Sequence, residues 1–371
     1  MMNFEKIFKE SKVKNVTGRY VTNEDVFPFL EQTVFKDEIK EIGKSVLNAS
    51  IKMITIGHGK TKILMWSQMH GNESTTTKAV LDLIHFLEKS SDLSLSILKN
   101  CTLRIIPILN PDGAAAYTRI NANKIDLNRD AQDRSQPESK ILRAVYLDFK
   151  PDFCFNLHDQ RTIFNVGKTN KPATVSFLAP AFNKERGMSA SRDKSMQLIV
   201  AMNSVLQNYI PGQVGRYDDG FNSNCVGDAF QMLNTPTILF ESGHYPEDYD
   251  REKTREFIFY SLLKGVETIV NNELDLYKVD SYFDIPENGK QFLDLIIYNT
   301  KSIATTHPEA DSLGVLYKEV LKNGKVVFEP TIVDENNLDL FFAHKKLNLL
   351  INSDLEYVKS NMLLSDCLLG N

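Results

Sequence analysis

The sequence predicts an α/β fold: a mixed, mostly parallel sheet flanked by helices, followed by a smaller C-terminal accessory domain. Three observations predict it. From about residue 47 to 272, apolar strand-like runs alternate with helix-like segments. Several of those runs, such as Ile238-Leu239-Phe240, lack the polar alternation of a one-sided sheet, so they suit strands covered on both faces. After about residue 277 the alternation stops and the texture becomes that of short strands and turns.

The elements follow in order. Residues 51–56 and 62–69 read as strands. Residues 74–89 read as a helix, because Ala79, Leu83, Phe86 and Leu87 keep a helical period and Ser74 or Thr75 can cap it. Residues 102–109 form a strand rich in Leu and Ile, 138–149 a helix and 152–157 a short apolar strand. Residues 189–209 form a long helix carrying Met196, Ile199, Val200, Met202 and Val205. A strand over 235–240 and a helix over 251–270 close the series. Further on, 292–297 and 326–328 look like strands, and Asn323-Gly324 signals a hairpin between 317–321 and 325–328. At 371 residues one core usually divides. A main domain over 1–277 and an accessory α+β or mainly β domain over 278–371 are expected.

Composition narrows the function. The chain is 42% hydrophobic and 25% charged, which is ordinary for a globular protein. With a net charge of -5 and no Lys/Arg block, a protein that tracks nucleic-acid phosphates is disfavoured. The first fourteen residues are charged and lack the apolar centre of a secretion signal, and no run is long enough for a membrane span. The four cysteines (Cys101, Cys154, Cys225, Cys367) are far apart and form no Cys-x-x-Cys pair. Free thiols in a reducing compartment are the simplest reading, so the cytoplasm is expected.

Four polar clusters each follow a strand-like run. In a mostly parallel sheet that places them together, beyond the carboxyl ends of the strands. The first is His70-Gly71-Asn72-Glu73. Residues three apart share a face, so an imidazole and a carboxylate can reach one divalent ion; both are ordinary zinc ligands, and a catalytic site needs a third. The second runs from Asn110-Pro111-Asp112-Gly113 through Arg119-Ile120-Asn121-Ala122-Asn123 to Asp126-Leu127-Asn128-Arg129-Asp130. Guanidinium groups in such a loop suit a carboxylate and a developing oxyanion; the Asn110–Gly113 part by itself also reads as a turn.

The third cluster is Phe155-Asn156-Leu157-His158-Asp159. Taken alone, His158 reads as a satisfied core histidine; with His70 and Glu73 it supplies the missing third ligand, and Asp159 either orients an imidazole or is simply solvated. The fourth is Glu241-Ser242-Gly243-His244-Tyr245-Pro246. Near zinc, Glu241 can take a proton from water and pass it on; the competing reading is an ion pair with Arg119 or Arg129. Gly57-His58-Gly59-Lys60 has the wrong spacing for a phosphate loop and reads as a turn. No Gly-x-Ser-x-Gly or reactive cysteine context supports a covalent hydrolase.

In this order the clusters resemble the zinc metallocarboxypeptidase family of the carboxypeptidase A and D type, over about Gly43 to Tyr249. The run Arg119-x-Asn121-Ala122-Asn123-x-x-Asp126-Leu127-Asn128-Arg129 is close to the carboxypeptidase D-like pattern. Glu241-Ser242-x-His244-Tyr245-Pro246 is similar to the motif around that family's catalytic glutamate. The resemblance implies a carboxypeptidase-like fold and one zinc ion per chain, held by His70, Glu73 and His158. It implies that Asn128 and Arg129 hold the substrate's terminal carboxylate, that Arg119 stabilises the oxyanion and that Glu241 is the general base. The family's mobile tyrosine would be Tyr217.

The implied activity is hydrolysis of the C-terminal bond of peptides, with no nucleic-acid or membrane partner. The alternatives are an amidohydrolase of the succinylglutamate desuccinylase and aspartoacylase type, acting on N-acyl amino acids with a free carboxylate, and a cell-wall-peptide hydrolase. A degenerate binding module is disfavoured because every implied ligand and the base are present. His158 follows Glu73 by 85 positions (158 − 73), a shortened segment that implies altered pocket walls. Asp218, Asp219 and Asp228 either favour a basic C-terminal residue or are solvated loop carboxylates. Residues 278–371 lie outside the resemblance and are expected to shield the rim of the site.

Overall fold

The computed structural model describes residues 2–301 and 303–370. Helices α1 (Phe4–Ser11) and α2 (Asn23–Gln32) precede strands β1 (Ile39–Lys44), β2 (Ser50–Ile56) and β3 (Thr61–Trp66). Next come α3 (Thr75–Leu87), α4 (Asp92–Asn100), β4 (Cys101–Ile106), α5 (Pro111–Ala116), α6 (Pro137–Phe149) and β5 (Phe153–Asp159). Then follow β6 (Asn165–Val166), β7 (Val175–Leu178), α7 (Ala190–Leu206), β8 (Val214–Arg216), α8 (Val226–Met232), β9 (Thr237–Ser242) and α9 (Glu252–Val270). The last part holds β10 (Asn288–Gly289), β11 (Phe292–Tyr298), β12 (Ser312–Lys322), β13 (Lys325–Glu335), β14 (Phe342–Asn348), α10 (Asn352–Ser360) and α11 (Met362–Leu369).

The main sheet runs β1-β2-β4-β3-β5-β9-β7-β8. Its pairs β3–β4, β3–β5, β5–β9 and β7–β8 are parallel, while β1–β2, β2–β4 and β7–β9 are antiparallel. The mixed sheet expected from the sequence is therefore present. One face packs under α3, α7 and α9 through Val80, Leu83, Met196, Met202, Ile258 and Leu262. The other packs under α6 and α8 through Leu142, Tyr146, Val226 and Phe230. Two-sided burial explains why β5 is buried at every position.

Some boundaries differ from the sequence expectation, with identifiable causes. The run expected as strand over 62–69 stops at Trp66. Gln68 adopts a left-handed φ of 46° and its amide donates to the carbonyls of Val21 and Gly71, both at 2.8 Å. The backbone thus leaves the ladder and turns His70 out of the sheet. Neither Ser74 nor Thr75 caps α3 with its side chain. The Ser74 hydroxyl donates instead to the Arg19 carbonyl, and the Asp159 carboxylate accepts from the backbone N–H groups of Thr75 (3.0 Å) and Thr76 (3.4 Å). A carboxylate there complements the helix dipole.

The C-terminal residues form a second sheet, β13-β12-β11-β14, backed by α10 and α11 through Val358, Leu364 and Leu368. The expected Asn323-Gly324 hairpin is present between β12 and β13, with Lys322 opposite Lys325. The stretch just after Lys278 still packs on the main core. Tyr282 and Ile285 join that core, and β10 pairs with β6.

Residues 2–22 wrap the α3–α9 layer and are held by a buried ion pair. Arg255 donates Nε and Nη2 to the two oxygens of Asp82, both at 2.6 Å, and neither side chain is exposed. The same groups reach the N-terminal segment: Asp82 accepts from the Val13 N–H, and Arg255 donates to the carbonyls of Val13 and Val16. Removing one partner strands the other charge in the core. Asp82→Ala is therefore expected to cost about 3–5 kcal/mol of folding free energy, read as a lower midpoint in equilibrium urea unfolding.

Candidate active site

The site is assembled from three strand ends and two loops. His70 and Glu73 lie in the turn between β3 and α3, and His158 sits near the end of β5, directly opposite Glu241 on β9. The turn is shaped by a close contact with the Asn110–Gly113 loop. A Cβ on Gly71 would meet the Gly113 carbonyl carbon at 1.9 Å, and one on Gly113 would meet the Asn110 side chain at 2.4 Å. Asn110 caps the short α5 through the Gly113 N–H and donates to the Met69 carbonyl. The turn reading of Asn110–Gly113 is thus its structural role, and the two glycines let the loops touch.

Glu73 lies between the two imidazoles. Its Oε1 is 2.7 Å from His70 Nδ1 and its Oε2 is 2.8 Å from His158 Nδ1. The two Nδ1 atoms are 3.1 Å apart. All three residues are buried, and their ligand atoms lie within 4.8 Å of one another, close enough to hold one metal ion. Burial alone would raise the Glu73 pKa, but the imidazoles outweigh it and hold the carboxyl far below its usual range. Burial lowers the pKa of His158, while for His70 the charge of Glu73 and the hydrogen bonds of Asp126 and Glu73 more than offset burial and raise it.

The residue that orients an imidazole is Asp126. Its Oδ1 lies 3.1 Å from His70 Nε2, which fixes the ring and leaves Nδ1 facing Glu73. Asp126 also accepts from Arg119 Nε at 3.0 Å and caps the turn at Leu127–Arg129 through the Asn128 N–H. Asp159, the sequence candidate for this task, is occupied by α3 and by Arg19 (3.0 Å). Its backbone N–H, at 3.2 Å from Glu73 Oε2, helps hold that carboxylate. Asp126 was visible in the Asp-Leu-Asn-Arg run; only the fold shows which imidazole it reaches.

One cavity of about 780 Å³ connects the remaining sequence candidates, being lined by His70, Glu73, Arg119, Arg129, Tyr217 and Glu241 among others. Glu241 forms no ion pair with Arg119 or Arg129, and its Oε2 is buried with no hydrogen-bond partner. Burial, followed by the charges of Glu73 and Asp159, pushes its pKa well above the usual carboxylate value. Arg119 reaches Glu73 at 3.4 Å with its side chain about half exposed.

Arg129 donates to the Asn128 carbonyl at 2.8 Å and to Cys225 Sγ at 3.7 Å, and it lines the cavity. Asn128 accepts from the Val226 N–H at 3.1 Å. The Tyr217 ring packs on Phe164, centroids 5.2 Å apart. Burial, then Glu241 and Glu73, raise the pKa of its hydroxyl. Of the three acidic loop residues, Asp219 is taken by Arg186 and Arg192, and Asp218 is an exposed partner of Arg186. Asp228 lines the cavity, accepts from the Asn222 N–H, and is pushed up to about 6 by burial.

The fold and the His70–Glu73–His158 cluster invite comparison with known proteins. Residues 36–176 match the zinc carboxypeptidase family, which bears out the resemblance read from the sequence; Tyr217 and Glu241 lie beyond that segment. Among relatives, the chain is 28% identical over 214 residues to carboxypeptidase SOL1 of Arabidopsis thaliana, a match covering 48% of this chain and 44% of that protein. It is 25% identical over 113 residues to carboxypeptidase 2 of Trichophyton rubrum, covering 30% of this chain and 20% of that one. The chain thus spans less than half the length of these relatives.

Among solved structures, a metallo-carboxypeptidase from Burkholderia cenocepacia superposes with a TM-score of 0.53 at 16% identity, covering 68% of this chain and 70% of that one. The carboxypeptidase A of Helicoverpa armigera gives 0.51 at 17% identity, covering 73% and 79%. At these identities the likeness concerns the fold. No helix among the described residues is long and apolar enough to cross a membrane.

The donor set of two imidazole nitrogens and a carboxylate fits zinc. Titrating zinc into chelator-stripped protein is expected to raise the Tm, by the equivalent of about 2.7 kcal/mol at a hundredfold excess over Kd. Asp126→Ala, which frees the His70 ring, is expected to weaken zinc binding about 10–100-fold in a chelator competition.

Proposed function

We propose that this chain is a zinc-dependent metallocarboxypeptidase that hydrolyses the C-terminal bond of peptides. The supporting observation is the convergence, in one cavity, of the His70–Glu73–His158 cluster with an unpartnered Glu241 carboxylate and with Arg119 and Arg129. His70, Glu73 and His158 would hold one zinc ion through Nδ1, carboxylate and Nδ1. When bound, zinc acts as a Lewis acid on the scissile carbonyl and brings the pKa of a water to about 7.

The chain's own residues supply the rest. Glu241 takes a proton from the attacking water and delivers it to the departing amine nitrogen as the C–N bond breaks. Its lack of an ion-pair partner leaves it free to do both. Arg119 donates to the developing oxyanion. Arg129, with Asn128, receives the terminal carboxylate through a guanidinium fork. An internal peptide bond offers no such anion, which makes the action exopeptidic. Tyr217, on the wall beside Phe164, closes over the bound residue. Residues up to 277 supply every catalytic group, and 278–371 form the accessory part. Four unpaired thiols, two of them buried, support a cytoplasmic setting.

The size of the cavity also suits an N-acyl amino acid, so the test covers both substrate classes. N-blocked dipeptides and N-acyl amino acids are assayed with the zinc-loaded protein, wild type beside Glu241→Gln. Release of the C-terminal residue is expected, reduced about 10²–10⁴-fold in Glu241→Gln with zinc content unchanged. Arg119→Ala is expected to lose about 10²–10³ in kcat. Turnover of N-acyl amino acids alone would move the chain to the acylase type, and equal activity in Glu241→Gln would remove the assigned base.

A further inference from the structure

The accessory sheet reaches the active-site cavity. Leu316, Tyr317, Lys318 and Glu319 of β12, with Thr331 and Val333 of β13, form part of its lining. Within that lining Glu319 is bonded to Arg19, which in turn holds Asp159, the residue after His158. The Asn128–Arg129 end of the cavity is bounded by Cys225 and Val226, whereas the polar contacts that seat the accessory sheet are with Arg19, Tyr117, Thr162 and Tyr249. The hairpin and Arg129 are thus anchored to different parts of the cavity wall.

The hairpin is fixed in place. Glu319 accepts from Arg19 Nη2 through both oxygens at 3.2 Å, and from the Tyr117 hydroxyl. Arg19 is itself buried and bound to Asp159. At its base, the fully buried Asp294 accepts from the Tyr317 N–H (2.7 Å), the Tyr249 hydroxyl (2.8 Å) and the Thr162 hydroxyl (3.2 Å). The Tyr249 ring packs against Tyr317 and Phe328, centroids 5.4 and 5.1 Å away. His344 Nε2 donates to the Thr162 carbonyl at 2.9 Å while its ring stacks on Phe292. A segment tied by buried charge-assisted bonds on β12 and by an aromatic cluster that includes Phe328 of β13 is a wall, not a hinged flap.

We propose that the β12–β13 hairpin is a specificity-determining wall that blocks the acyl-side end of the cleft, so that the substrates are short peptides and longer chains are excluded. This rests on the carboxypeptidase reading of the same site. A cavity of 780 Å³ is the size that encloses a drug-sized ligand, which matches a short peptide and not a long chain.

The test is a length series. N-acetylated peptides of two to eight residues sharing the same two C-terminal residues are assayed with the full chain, loaded with zinc. kcat/KM is expected to hold through the shortest members and then fall roughly tenfold or more. Leu316→Ala and Val333→Ala trim the wall from either strand. Val333 is 47% exposed, so its truncation spares the fold. Each is expected to raise the ratio of long-peptide to short-peptide kcat/KM several-fold. A flat length profile in the wild type, or a decline that neither variant relaxes, overturns the wall while leaving the carboxypeptidase intact. Absence of hydrolysis at every length overturns both.

Discussion

Asp159 is the residue on which the arrangement of this site turns. Its carboxylate is buried and accepts from four groups on different elements: the first two N–H groups of α3, the Ser242 hydroxyl at the end of β9, and Arg19 of the N-terminal segment. Its backbone N–H holds Glu73. One side chain thereby ties the ends of β5 and β9 to the start of α3, where the metal-type cluster and Glu241 must meet. Such a carboxylate is tolerated in the interior only because its lone pairs are satisfied and a cation is paired with it. Arg19 then passes the constraint outward to Glu319 and so to the accessory sheet.

The rest of the geometry follows from sheet register and close loop packing. His158 and Glu241 face each other because β5 and β9 pair in parallel with those residues in register; a slip of one would turn either side chain to the opposite face. The distance from His70 to the sheet is set by Gln68, which leaves the ladder in a left-handed conformation and stitches its amide to Val21 and Gly71. Where polar groups in this region are satisfied by one another, as in Asp126, Asn110 and Asp159, they build the scaffold. Glu241 Oε2 has no such partner, and Glu241 is among the residues that line the cavity.

The C-terminal sheet contributes residues of β12 and β13 to the lining of the cavity. The main sheet and its helices make a site open at the strand ends, the usual location of ligand sites in such sheets. The second sheet packs beside that opening through Asp294, Tyr249 and Glu319. The contact is polar at its centre and aromatic around it, so it is specific in position.

The sequence alone determined the class of fold, the four polar clusters and their placement after strands. These depend on local rules: hydrophobic period, loop position, and the short spacing that puts His70 and Glu73 on one face. The two-sided burial of β5 and β9 was readable in their continuous apolar runs. The wrapping N-terminal helices, the edge strands and the role of Arg19 were not, because they follow from partners far along the chain. Arg19 is 140 positions from Asp159 and 300 from Glu319. Likewise only the tertiary structure decided between Asp126 and Asp159 as the partner of an imidazole, and freed Glu241 from the arginines. A carboxylate's role is set by which donors surround it in three dimensions, and no local pattern records that.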